Sequence, residues 1–206
     1  MAQPEIIILD FETTGLNPTW DRTIEVAAVL LVNNRPADRF CKLMHPGSRV
    51  PSFITDLTGI TNDMVRGQPR PEEVMPRLRT FVGRRPIVAH NASFDSRFLR
   101  AEMERAGLTV ENDFICTMRL ARRLVPGLPS YRLEALIREL RPDISSQARF
   151  HRAEADIDHT VGVWQRLYGE VQNRTGLANP PMDVLKTLMR TPVKKAGGYL
   201  ERLAAG

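Results

Sequence analysis

The stretch "EIIILDFETTG", residues 5–15, sets an unbroken run of aliphatic side chains against two acids one residue apart. Residues 6–9 are short, mostly β-branched and apolar on both parities, the pattern of a strand covered on both faces at the centre of a sheet. Side chains two apart on a strand point the same way, so Asp10 and Glu12 are expected to project together from the strand end while Phe11 turns back into the core. Two carboxylates that close repel, and each raises the other's pKa unless a cation lies between them. A solvated strand end carries the same letters, so the pair points to a metal only if other acids converge on it. The "TTG" that follows adds two hydroxyls and a sharp turn, useful beside a phosphate but common in loops.

The sheet builds outward from this strand. "TIEVAAVLLV" (23–32) and "DRFCKLMH" (38–45) read as two more strands, joined across Asn33 and Asn34, which tolerate left-handed turn geometry. The three would form an antiparallel meander. After Pro51 the spacing turns helical, in "SFITDLTGIT" and then in "PEEVMPRLRTFVG" through Val74, Leu78, Phe81 and Val82, where Pro76 predicts an irregular start. "PIVAH" (86–90) is a short buried strand, followed by a helix with Phe94, Phe98, Leu99 and Met103 as its inward stripe and Gly107 as its stop. "FICT" (114–117) reads as a fifth strand, and helices are expected near 117–125, 131–140 and 153–171. Strands first, then strands alternating with helices, indicate an α/β fold with a mixed sheet flanked by helices on both faces.

At 206 residues and 42% hydrophobic content, the chain suits one core, expected over residues 1–176, with a C-terminal tail at 177–206. The tail, rich in proline and glycine, is expected either to dock on a neighbour or to fold a short helix back onto the domain. Leu185, Leu188 and Met189 share one helical face there and could meet a polymerase or repair partner. A formal net charge of +5 fits a polyanionic partner, although such a balance speaks to steering rather than to fold. The positive charge is almost all arginine, which matches phosphate with a bidentate fork. Cys41 and Cys116 lie far apart in apolar runs and read as two buried thiols of a reducing compartment. No segment approaches the roughly 18 consecutive apolar residues of a membrane span, so a soluble, cytoplasmic protein is expected.

Two further stretches carry acids. In "HNASFDSRFL" (90–99) a strand ends at His90 and Asp95 falls in the first turn of the next helix, where the helix dipole stabilises a carboxylate. Simple charge compensation would explain it alone. A strand parallel to the first and adjacent to it would instead bring Asp95 to the edge where Asp10 and Glu12 emerge, which is where open α/β sheets bind ligands. In "HRAEADIDHT" (151–160) Asp156 lies about one turn into a helix, and His151 lies on the approach. Glu154 and Asp158 sit about 200° around the helix from Asp156, so all three cannot face one site. His159 roughly shares the face of Asp156, either as a second ligand or as a packing residue. Four acids on three segments, with a histidine and no cysteine, suit Mg²⁺ or Mn²⁺ far better than structural zinc. Two such ions about 4 Å apart would activate a water and stabilise the leaving oxygen of a phosphodiester.

"DFETTGL", "HNASFD" and "HRAEAD" resemble the three exonuclease motifs of the DEDDh family of 3′-5′ exonucleases, which includes the proofreading epsilon subunit of bacterial DNA polymerase III and exonuclease X. The resemblance spans roughly residues 5–170. It extends to "LTGIT" (57–61), similar to the family's segment beside the terminal nucleotide, and to "CTMRLARRLVPG" (116–127), which is especially like exonuclease X. It implies a ribonuclease H-like fold with a mixed five-stranded sheet, three strands antiparallel and two parallel. It assigns Asp10, Glu12, Asp95 and Asp156 to two metal ions and His151 to the general base. It implies removal of 5′-mononucleotides from a free 3′ end, with substrate contacts from Thr13, Thr58 and Asn91. Aromatic residues make up only 6% of the chain, which favours single-stranded or frayed DNA over the base-stacking habit of RNA-trimming relatives. An exoribonuclease and a noncatalytic nucleic-acid-binding subunit are the alternatives.

Overall fold

The computed structural model describes residues 5–142 and 152–205, with the side chains of residues 154 and 155 left aside. Its centre is a five-stranded sheet in the order β3-β2-β1-β4-β5, formed by β1 (Ile6–Thr13), β2 (Thr23–Val32), β3 (Arg35–Leu43), β4 (Ile87–Ala89) and β5 (Phe114–Cys116). The first three strands pair antiparallel, and β4 and β5 run parallel to β1. The β2–β3 hairpin turns on Asn33 and Asn34 with φ of 52° and 60°, a double left-handed conformation that matches the twist of the strands it joins.

Even and odd positions of β1 serve two cores. Ile7, Leu9 and Phe11 pack with Val26 and Ala28 against α3 (Pro71–Val82) and α4 (Ser93–Arg105). Ile6 and Ile8 pack with Ala27 and Val29 against α5 (Thr117–Leu124), α6 (Leu133–Leu140) and α7 (Ala153–Thr175). A smaller cluster of Ile24, Val50, Ile54, Ile60 and Val65 seats α1 (Ser52–Thr58) and α2 (Asn62–Val65) at one end.

Several expectations are corrected. β1 does not stop at Leu9 but continues to Thr13, because β2 pairs with it along its whole length, whereas β4 pairs only at Ile7 and Ile8. The acids therefore stand on an overhang beyond the parallel neighbour. α3 runs through Pro76 without an irregular start, since Pro71 supplies a preset first turn and Pro76 lies on the exposed face, where water can serve the carbonyl left without a donor. Both cysteines are free, but Cys41 is only half-buried because β3 is an exposed edge strand.

Residues 177–206 hold α8 (Met182–Arg190), a 3-10 turn at Val193–Lys195 and α9 (Ala196–Ala204). Leu185 and Leu188 are fully buried in the same core as α7, and Met189 nearly so. The apolar face that the sequence offered to a partner is thus spent within the chain. It covers β5, an edge strand whose Cys116 N–H faces the Met189 sulfur at 3.0 Å, and Lys186 reaches Asp113 at 2.8 Å.

Candidate metal centre

Because β1 alternates faces, Asp10 and Glu12 point to the side of Ile6 and Ile8, toward α7. The first turn of α7 presents Asp156 there, and one carboxylate oxygen from each of Asp10, Glu12 and Asp156 lies within 4.8 Å of the other two. Phe11, between the acids, is buried in the opposite core as expected. Its backbone N–H, which the short β4 leaves without a strand partner, donates instead to Asp95 Oδ1 at 3.2 Å. That bond carries the first turn of α4 to the overhang and sets Asp95 beside the other three acids.

Burial and mutual repulsion leave this cluster strongly biased against its own charge. Burial first, then Asp95, Glu12 and Asp156, push the Asp10 pKa well above the usual carboxylate range. Burial, then Asp156 and Glu25, raise Glu12 to about 8. Burial raises Asp95 to about 7 although the Phe11 N–H and its own backbone favour the charged form. Four oxygen donors so placed are tolerable as carboxylates only with a cation among them, and an all-oxygen set fits a hard divalent ion. The donor set therefore fits the metal that the sequence implied.

Around these acids the remaining expectations divide. His151 lies outside the described residues. His159 is buried with Nδ1 3.6 Å from Asp156 Oδ1, on the same side of α7. Asp158 turns away and pairs with Arg39 on β3. Asn91 is exposed, in the left-handed region at φ 57°, and accepts from Ser93 Oγ at 3.3 Å, so it is available at the rim. Thr13 is buried and gives its hydroxyl to the Gly15 carbonyl at 2.5 Å. Thr58 is buried too; its hydroxyl donates to Ile54 O at 2.8 Å and accepts from Ile60 N at 3.1 Å, closing the end of α1.

Two residues escaped the sequence reading. Glu25 lies directly across the sheet from Glu12, nearly inaccessible, and accepts from Arg152 Nη2 at 2.8 Å, Arg152 Nε at 3.2 Å and Ala153 N at 2.9 Å. It ties the first turn of α7, and so Asp156, to β2. The available signal was a lone acid inside the apolar run 23–32. Trp20 is 80% exposed on the loop after β1, and the signal was an indole inside a polar turn. A buried network also locks α4: Glu102, fully inaccessible, accepts from Arg22 Nε at 3.0 Å and from Thr23 N at 3.1 Å.

The comparisons with known proteins agree with this geometry. A family model described as Exonuclease, of the RNase T type, matches residues 7–164. A DNA polymerase III PolC-type of Halalkalibacterium halodurans is 37% identical over 175 residues, which are 84% of this chain and 12% of that protein. Another, from Thermotoga maritima, is 36% identical over 172 residues, 83% of this chain and again 12% of its own length. The chain thus spans about an eighth of the curated relatives it matches. A structure of exonuclease X in complex with 5′ overhanging duplex DNA superposes with a TM-score of 0.69 at 29% identity, covering 84% of this chain and 94% of that one. The zinc-bound E. coli ExoI–ssDNA complex, at 21% identity and a TM-score of 0.68 over 84% of this chain and 44% of that one, shares the fold. With 158 consecutive residues matched and the acids of its motifs gathered on one sheet edge, this chain belongs to the exonuclease family.

Proposed function

We propose that this chain is a metal-dependent 3′-5′ exonuclease that removes nucleoside 5′-monophosphates from the 3′ end of single-stranded or frayed DNA, in proofreading or repair, in the cytoplasm. The observation that carries the reading is the convergence of Asp10, Glu12 and Asp156 within 4.8 Å, with Asp95 held beside them through Phe11 N–H. Asp10, Glu12, Asp95 and Asp156 are proposed to hold two Mg²⁺ or Mn²⁺ ions. Such ions, when bound, supply positive charge to the attacking and leaving oxygens of a phosphodiester.

The chain's own residues do the rest. Glu25 and Arg152 hold the start of α7, so the Asp156 carboxylate is placed without reorganisation. His159 packs beside that carboxylate, its Nδ1 3.6 Å from Asp156 Oδ1. His151, next to Arg152, is proposed to accept the proton of the attacking water; a neutral imidazole with a pKa of about 6.5 does this best above neutrality. Asn91 is proposed to contact the terminal nucleotide from the rim. The similarity to DNA polymerase III PolC-type proteins and to exonuclease X bound to duplex DNA supports DNA as substrate and a polymerase or repair protein as partner. Since α8 buries its apolar face, that partner would use the outward face of 177–206 or another surface.

The test is a DNA oligonucleotide labelled at its 5′ end, with an RNA twin, incubated with Mg²⁺ or Mn²⁺ and with a chelator. Stepwise shortening from the unlabelled end, release of 5′-mononucleotides, and loss of both in Asp10→Ala and Asp156→Asn are expected. Absence of shortening in either metal sinks the proposal, and faster shortening of the RNA twin turns it to an exoribonuclease.

A further inference from the structure

A cavity of about 480 Å³ opens beside the carboxyl ends of β4 and β5, next to Asn91 and Ser93. Four arginines line it: Arg100 from α4 and Arg119, Arg122 and Arg123 from α5. None of its lining residues is acidic, and none of the four guanidinium groups forms an ion pair among the described residues. Arg119, Arg122 and Arg123 stand at i, i+3 and i+4, a like-charge spacing that costs an isolated helix a few tenths of a kcal/mol per pair.

Part of the cluster has a structural task. Arg119 donates to Met189 O at 2.9 Å and Arg123 to Thr191 O at 2.7 Å, which satisfies the carbonyl end of α8. That does not account for the other two. Arg100 lies over the Phe114 ring at 5.4 Å and Arg122 over the Tyr131 ring at 5.6 Å; Arg122 otherwise reaches only the Met118 sulfur, at 3.9 Å. Both are exposed, and stacking on a ring fixes a guanidinium plane while leaving its donors to a ligand. Burial, with Arg119 and Arg122 alongside, pushes the Arg123 pKa below its usual value, the mark of a positive potential left uncompensated.

We infer that this cavity is a second nucleic-acid site, in which Arg100 and Arg122, helped by Arg119 and Arg123, bind the phosphodiester backbone of the substrate strand on its 5′ side while its 3′ end lies at the acids. The inference rests on the nuclease reading above. The positions of Arg119 and Arg123 are about 6 Å apart along the helix axis, with Arg122 between them on the same face, so α5 presents its three guanidinium groups together to one side. The cavity is on the same edge of the sheet as Asp10 and Glu12, because β1, β4 and β5 are parallel and all end there.

The test measures binding of a 5′-labelled 12-nucleotide single-stranded DNA by fluorescence anisotropy in a chelator, across salt concentrations, for the parent and Arg100→Gln/Arg122→Gln. Loss of two phosphate contacts should flatten the slope of log K against log salt by about 1.4 and weaken binding about tenfold at low salt. With Mg²⁺ or Mn²⁺ present, the advantage of the 12-mer over a dinucleotide in kcat/KM should shrink in the same variant. Arg100→Lys/Arg122→Lys, which keeps both charges, should recover most of the slope, which a folding defect would not allow. Arg84→Gln, which removes one positive charge before β4 at the opposite edge of the sheet, should leave the slope as it is. A double Gln variant with the parent's slope and length dependence overturns the second site and leaves the nuclease reading standing. A parent that shortens no oligonucleotide in either metal overturns the nuclease reading itself.

Discussion

The carboxylate of Glu25 on β2 grips the guanidinium of Arg152 with two hydrogen bonds, 2.8 Å to Nη2 and 3.2 Å to Nε, and takes the Ala153 N–H at 2.9 Å. The peptide oxygen of Arg152 in turn accepts from Asp156 N at 2.8 Å, so one buried acid anchors the turn that delivers a metal ligand. In Glu25→Gln the amide group faces Arg152 with its own donors, and the turn loosens. Metal affinity and turnover should both fall by about 10- to 100-fold, the range for partners that orient ligands. Calorimetric titration with Mn²⁺ alongside oligonucleotide turnover measures both, and unchanged Mn²⁺ affinity would refute the anchoring role.

Metal-free protein should lose stability as pH rises. Glu12 is raised to about 8 and Asp95 to about 7, above ordinary values of 4.5 and 3.8. Between about pH 4 and pH 8 the folded state therefore keeps protons that the unfolded chain has released, and the stability they contribute disappears as pH climbs through the folded values. A divalent ion replaces those protons and removes the penalty. At about 100 times its Kd it should add about 2.7 kcal/mol, or roughly 5–10 °C in Tm for a chain of this size. At one fixed ion concentration the gain should be larger at pH 8 than at pH 5, because protons compete with the ion at the lower pH. Melting curves with and without Mn²⁺ at the two pH values decide it, and a metal-induced rise that is greater at pH 5 contradicts the reading.

His151→Ala should reduce kcat by about 10²- to 10⁴-fold, the usual contribution of a general base, while Mn²⁺ and oligonucleotide binding persist. Asp10→Ala should lose the metal as well. Near-parental turnover in His151→Ala would remove the histidine from the mechanism.

Glu102→Ala should destabilise the whole domain. It strips the bidentate partner from Arg22 and an acceptor from Thr23 N, and leaves Arg22 only Glu72, at 2.7 Å, on the half-exposed side. Breaking such a buried pair costs roughly 3–5 kcal/mol. Urea unfolding would register this as a lower midpoint, and a cost below about 1 kcal/mol would show that solvent already shares Arg22.

The local order of residues settled much of this protein before any fold was known. An aliphatic run ending in Asp-x-Glu can be a central strand with two acids on one face, and Asn33-Asn34 can turn a hairpin, because both depend on side-chain alternation and backbone sterics within a few residues. The three acidic stretches were legible for the same reason. What the letters could not carry are pairings between distant segments. Glu25 and Arg152 are 127 residues apart, and Phe11 N–H finds Asp95 only because β4 ends early. Thr58 turned inward because the C-terminal turn of α1 needed its hydroxyl, and α8 folded back because an edge strand with an exposed apolar flank was there to be covered. Composition and periodicity report which groups a chain owns. Which of them share a dehydrated pocket, and must therefore exchange charge, hydrogen bonds or a metal, is decided by the packing of the sheet and its two helical layers.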